Sequence, residues 1–215
     1  MDLTHPLSSL TPSLESSILE VLAGTEAALN ASTIARLSAR GTRTGQWPVL
    51  NRLVRHGLVT AEPSNSGSLY LLNREHVLVP SILSAVAARQ EILRRLVEGL
   101  VLIRPQVIVS AALYGSFARG EAGPDSDVDL LLIVAPDVSD QESWIGQLNR
   151  LEDQFLGWTG NQLEVLTMRQ SDLPRLAETG EPLLESLRNE AIAVFGRTLT
   201  ELLPEPAHRT PVVSQ

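Results

Sequence analysis

Three aspartates at alternate positions, Asp125, Asp127 and Asp129, lead into the apolar run "VDLLLIV", and a Gly115-Ser116 pair closes an earlier apolar run that ends at Tyr114. Side chains two residues apart on a strand share a face, about 6.6 Å apart at the backbone, so the carboxylates of Asp127 and Asp129 can lean onto one cation. Asp125 reads as a turn residue. Gly115 lets an anion come close to the backbone, and the free amides of the short helical start "SFARG" favour negative charge there. Ser116 adds a hydroxyl donor. Hard oxygen ligands beside a notch of phosphate size point to Mg²⁺ or Mn²⁺. A single acid, Glu164, stands in the later apolar stretch "NQLEVLTM". An acid inside a buried strand is unfavourable unless it is paired or bound to a cation. If the two strands are neighbours, Glu164 completes a three-carboxylate cluster able to hold two metals roughly 3.5 to 4 Å apart.

A calcium loop is the sharpest rival, because "DSDVDL" begins like an EF-hand. That loop requires glycine at its sixth position and glutamate at its twelfth, where this chain has Leu130 and Pro136. The rival fails. Other chemistries are excluded by composition. No cysteine is present, which removes thiol nucleophiles, disulfides and Cys-ligated zinc. All 17 basic residues are arginines, so no lysyl adduct can form. The four histidines have no ligand spacing.

The elements that must position these residues follow from apolar periodicity. Beyond Pro105, strand and helix alternate: "QVIVSAALYG", "VDLLLIVA", an amphipathic helix through Trp144, Leu148, Leu151 and Phe155, then "QLEVLTM". "SDLPRL" and "EPLLESLRNEAIAVFG" are expected to add two helices. Near-continuous apolar strands imply a sheet covered on at least one face, hence an α+β domain with a small mixed sheet and helices packed against it. The order Gly115, Ser116, Arg119, Gly120, Ser126, Asp127, Asp129 between two such strands resembles the signature of the DNA polymerase β-type nucleotidyltransferases, most nearly their small prokaryotic members, the minimal nucleotidyltransferases. The resemblance covers about residues 105 to 196. It implies that Asp127, Asp129 and the later-strand acid Glu164 bind the catalytic metals and carry the chemistry. It also implies that Gly115 and Ser116, with Arg119 and Ser126, hold an NTP, with ATP expected and AMP transferred.

The first part of the chain differs in charge. From Ala27 to Ala61 there are five arginines and no acid, a local +5 within a net charge of −8. A helix beginning at Pro12 with Thr11 as its cap, a second helix "ASTIARLSA", a polar turn "RGTRTGQ" and a third helix from Trp47-Pro48 precede two strands, "LVTAEP" and "SLYLLN". This order resembles a winged helix-turn-helix. Arg40, Arg43, Gln46, Arg52 and Arg55 around the third helix are its candidate contacts to double-stranded DNA. A stripe through Ile82, Val86, Leu93, Leu96, Leu100 and Ile103 reads as one helix from Pro80 to Ile103, either a connecting helix or a core helix of the second module.

The expected organisation is a winged helix-turn-helix domain over 12–76, a connecting helix over 77–104, a nucleotidyltransferase domain over 105–203 and a flexible tail over 204–215. The longest apolar run, "LLLIVA", is far shorter than a membrane span, and "MDLTHPLSSL" lacks signal-peptide character, so the protein is read as cytoplasmic with no membrane partner. The resemblance to minimal nucleotidyltransferases implies a protein hydroxyl as acceptor, with a HEPN-type ribonuclease toxin as the expected partner and an antitoxin role. The alternative is a DNA-binding regulator whose transferase fold senses nucleotide or mediates protein contacts.

Overall fold

The computed structural model describes residues 1–38, 40–65, 67–104, 106–135, 141–175 and 182–203. The tail expected over 204–215 lies outside them. The chain divides into two compact units, one of Met1–Ile92 with Gly123–Asp125, the other of Leu93–Ala122 with Ser126–Gln215.

The first unit contains α1 (Pro6–Leu10), α2 (Leu14–Ala23), β1 (Leu29–Asn30), α3 (Ala31–Leu37), α4 (Arg43–Arg55), β2 (Val59–Ser64), β3 (Gly67–Leu72) and α5 (Val79–Val86). The two expected strands pair antiparallel from Val59↔Leu72 to Ser64↔Gly67, and β1 adds to the other side of β3. Ile18, Leu22, Ile34, Leu50, Leu53, Val59 and Leu72 form one buried core, so each helix contributes its apolar stripe to the sheet. Two helix starts differ from expectation. α2 begins at Leu14 behind Ser13 rather than at Pro12. α4 begins at Arg43, and "RTGQ" is its first turn rather than a loop, because the Thr42 side chain accepts from the Gly45 amide and caps the helix.

The stripe from Pro80 to Ile103 forms two helices instead of one. α5 ends at Val86, capped by Ala87, and α6 runs Ala88–Ile103. The break falls beside Arg89, which already interrupts the apolar spacing. α5 then lays Ile82, Leu83 and Val86 against the first core.

The second unit has a four-stranded sheet in the order β6-β5-β4-β7. β4 (Ile108–Tyr114) is antiparallel to β5 (Val128–Val134), and β5 is parallel to β6 (Leu163–Arg169) across α8 (Gln141–Thr159). "AIAVFG", expected to continue a helix, is the strand β7 (Ile192–Gly196), antiparallel to β4. Only "PLLESLRNE" is helical, as α9 (Pro182–Glu190), followed by the short α10 (Leu199–Leu202). The β-branched and aromatic residues Ile192, Val194 and Phe195 suit a strand better than a continued helix. One sheet face, with Ala112, Leu131 and Ile133, is covered by Leu184, Leu187, Leu199 and Leu203. On β5 every residue except Asp129 is buried. The unit is therefore a mixed α+β fold whose inner strand β5 carries one polar side chain. No helix among the described residues is long and apolar enough to cross a membrane.

Candidate active site

Asp129 is placed by two registers. Across the antiparallel ladder it faces Tyr114, and across the parallel ladder it faces Glu164. Directly paired residues share a face, so Tyr114, Asp129 and Glu164 form one row over β4, β5 and β6. The conditional expectation that the two acid-bearing strands are neighbours holds. β6 is an edge strand, however, and Glu164 is solvent-exposed rather than buried in a strand interior. Asp127 precedes the first residue of β5 and is also exposed.

The row is electrostatically strained. Burial, then Glu164, then Asp127 push the Asp129 carboxyl above its ordinary value, against a smaller opposing pull from Arg119. Tyr114 is raised by burial and by the charges of Asp129 and Glu164. Like charges gathered at one place favour a proton or a cation between them. Among the described residues no three His, Asp or Glu side chains stand close enough to enclose a metal ion as placed. The donor chemistry does fit a hard divalent cation, because Asp129 and Glu164 offer carboxylate oxygens side by side and their mutual repulsion is what such an ion relieves.

Gly115 has φ +67°, and a β-carbon added there would overlap the Asp129 carboxylate. The glycine is therefore required both by the left-handed backbone and by the approach of that carboxylate. It opens α7 (Gly115–Arg119), which ends at Gly120 in the left-handed region with its amide bonded back to Phe117 and Ser116. Ser116 is half-buried in that first turn.

Arg119 is committed to carboxylates. Its Nε donates to Glu121 at 2.8 Å and its Nη1 to Glu190 at 2.9 Å, while the Ser186 hydroxyl also donates to Glu190 at 3.1 Å. Arg119 first and Ser186 second hold Glu190 below the usual carboxylate range. Glu190 was not singled out in the sequence, and nothing in the "SLRNE" helix end marks it. A second unanticipated group is Asn161, 3% exposed, whose Nδ2 donates to the Ser126 carbonyl at 3.0 Å. Its backbone N–H donates to the Thr159 hydroxyl at 3.0 Å. This chain ties the end of α8 to the segment that carries Asp127. The Ser126 contact shown is through its backbone. A polar "TGN" between a helix and a strand is the only signal that could have found it.

In the first unit, Arg40 and Arg55 are exposed, whereas Arg52 forms an ion pair with Glu15. The Arg43 side chain lies outside the described residues. Gln46 corrects the expectation of an outward base contact: it is 1% exposed, and its Nε2 donates to the Arg40 carbonyl at 2.9 Å. With α4 starting at Arg43, position 46 turns to the core side together with Val49, Leu50 and Leu53.

Residues 93–179 match the family model described as nucleotidyltransferase domain. That stretch, 87 of the 215 residues, is thus matched as a nucleotidyltransferase domain, and nucleotidyl transfer is the enzyme class the match supports. Among solved structures it is similar to a putative minimal nucleotidyltransferase, at 26% identity and TM-score 0.32, over 48% of this chain and 92% of the other. It is also similar to a toxin-antitoxin with AMP-PNP, at 13% identity and TM-score 0.35, over 51% and 77%. A third similarity is to TrmBL2, an archaeal chromatin protein, at 12% identity and TM-score 0.31, over 87% and 79%. Comparison with curated proteins gives no significant match. The family model alone carries the assignment of class.

Proposed function

We propose that the second unit transfers AMP from ATP to a hydroxyl on a protein, and that the first unit is a winged helix-turn-helix that binds double-stranded DNA. The observation that carries the transferase reading is the in-register pair Asp129 and Glu164, with the Asp129 carboxylate lying over Gly115 at the start of α7. Asp127, Asp129 and Glu164 would hold Mg²⁺ or Mn²⁺, which when bound supplies charge neutralisation at the phosphates.

Gly115 and Ser116 present backbone and hydroxyl donors to the β- and γ-phosphates. Arg119, which must leave at least one of its two carboxylates to do so, adds a charged contact. Glu164 takes the proton of the acceptor hydroxyl. The acceptor oxygen bonds to the α-phosphorus as the bond to the bridging oxygen breaks, and pyrophosphate departs in line.

The DNA-binding reading rests on the arginines of Ala27–Ala61 and on the order α3, α4, β2, β3, a helix pair followed by a hairpin. A HEPN-type toxin as acceptor, with the chain as its antitoxin, follows from the resemblance of the Gly115 to Asp129 motif to minimal nucleotidyltransferases. Incubating the chain with Mg²⁺, each α-labelled NTP and candidate acceptor protein tests the transferase. Label from ATP on protein supports the reading. Equal labelling by an Asp127→Ala, Asp129→Ala variant contradicts it.

A further inference from the structure

The strand that carries Glu164 is an open edge. Among the described residues nothing pairs with the outer side of β6, and its register with β5 runs from Leu163 to Arg169 without a shift. Edges are normally protected by lysine, proline, a bulge or an inward charge. "LEVLTMR" has no bulge, no proline and no lysine; its charges, Glu164 and Arg169, stand near its two ends, and between them Leu166 is 37% exposed. The Val128 amide donates to the Gln162 carbonyl at 2.9 Å. In a parallel ladder that alternation turns the N–H and C=O of Val165 and Thr167 outward.

We propose that an extended segment of the acceptor protein adds to this edge as a fifth strand, with its hydroxyl residue opposite Glu164. The inference rests on the reading of the site as a transferase acting on protein. A strand added about 4.8 Å beyond β6 continues the rows of the sheet. The residue opposite Glu164 therefore projects on the same face as Glu164, Asp129 and Tyr114, beside the carboxylate that accepts its proton.

The other face supplies an anchor. Between α8 and the end of β6 lies a cleft of about 390 Å³, lined by Trp144, Ile145 and Leu148 together with Thr167, Arg169 and Asp172. Thr167 lies three residues from Glu164, so its row projects on the opposite face. An acceptor residue three positions from the hydroxyl projects into this cleft, and its apolar walls select a large apolar side chain. The acceptor class is thus an extended peptide with a hydroxyl residue and a large apolar residue three apart. Pairing by backbone with pockets for alternate side chains is the usual economy of edge-strand recognition.

The test is fluorescence anisotropy of the full chain with fluorescein-labelled ten-residue peptides of alternating Val and Gln carrying one Tyr and one Leu, the Leu placed two, three or four positions from the Tyr. The three-position peptide is expected to bind at least about ten-fold tighter than the other two, the size of one buried apolar anchor. Ile145→Asp, at a residue 55% exposed, should erase that preference without lowering affinity for the two-position peptide. Val165→Pro, which removes an outward N–H, should weaken all three. Equal binding of the three peptides, or none, overturns the docking mode. Because anisotropy needs no transfer, a protein that labels acceptors but binds no peptide sinks this inference alone. One that binds the three-position peptide but labels nothing sinks the transferase reading alone.

Discussion

Gly115 has φ +67° and lies under the Asp129 carboxylate, so a single methyl group at this position meets two obstacles at once. Gly115→Ala is expected to lower transfer by at least about a hundred-fold, because displacing a reacting group by an ångström has that order of effect. A pre-steady-state assay with labelled ATP measures it. Asn161 acts through the backbone next to Asp127. Asn161→Ala removes the amide that donates to the Ser126 carbonyl, and the loss should be about 1 kcal/mol, read from the urea midpoint. Asp129 titrates in the opposite sense to a salt-bridged acid. Its carboxyl is raised in the folded state, so its contribution to stability is full below the ordinary aspartate range and is lost as pH rises through the raised value. Asp129→Asn should therefore melt above the unsubstituted protein at pH 7 while losing activity, and the difference should vanish at acid pH. Thermal melts across that range decide the matter.

At the scale of elements, the sequence was informative where a period was clean and misleading where a cap or a neighbour decided. The strands β4, β5 and β6 are legible because their apolar runs are nearly unbroken, and the row Asp129–Glu164 follows once β5 and β6 are adjacent. β7 is not legible as a strand, because the run after α9 has no turn residue to divide it and only pairing with β4 makes Ile192–Gly196 extended. The start of α4 depends on the Thr42 cap, and that shift of a few residues moves Gln46 from the surface to the core. It follows that Gln46→Ala should lower thermal stability and leave the sequence preference of DNA binding unchanged. Arg55→Ala should weaken binding to all duplexes and reduce the slope of log affinity against log salt by about one. Filter binding at several salt concentrations separates the two. Arg119 and Glu190 show the limit of motif reading: the arginine stands where the pattern requires it, yet one of its two carboxylate partners, Glu190, comes from a helix 71 residues later that no local pattern links to it.

For the whole molecule, the charge division has a functional counterpart in the two proposed activities. The arginines of Ala27–Ala61 belong to the unit that ends at Ile92, and the carboxylate row belongs wholly to the other. The activities should then be separable by substitution. Arg40→Ala, Arg55→Ala is expected to abolish salt-sensitive DNA binding and to keep transfer within about two-fold, since the substituted arginines and the carboxylates belong to different units. The reciprocal variant, Asp127→Ala, Asp129→Ala, should bind DNA normally. The most direct test of the central claim is incorporation of α-labelled ATP into protein by the full chain with Mg²⁺, compared with that double aspartate variant. A labelled acceptor band that disappears in the variant is expected. A band of equal intensity in both would place the chemistry away from Asp127 and Asp129.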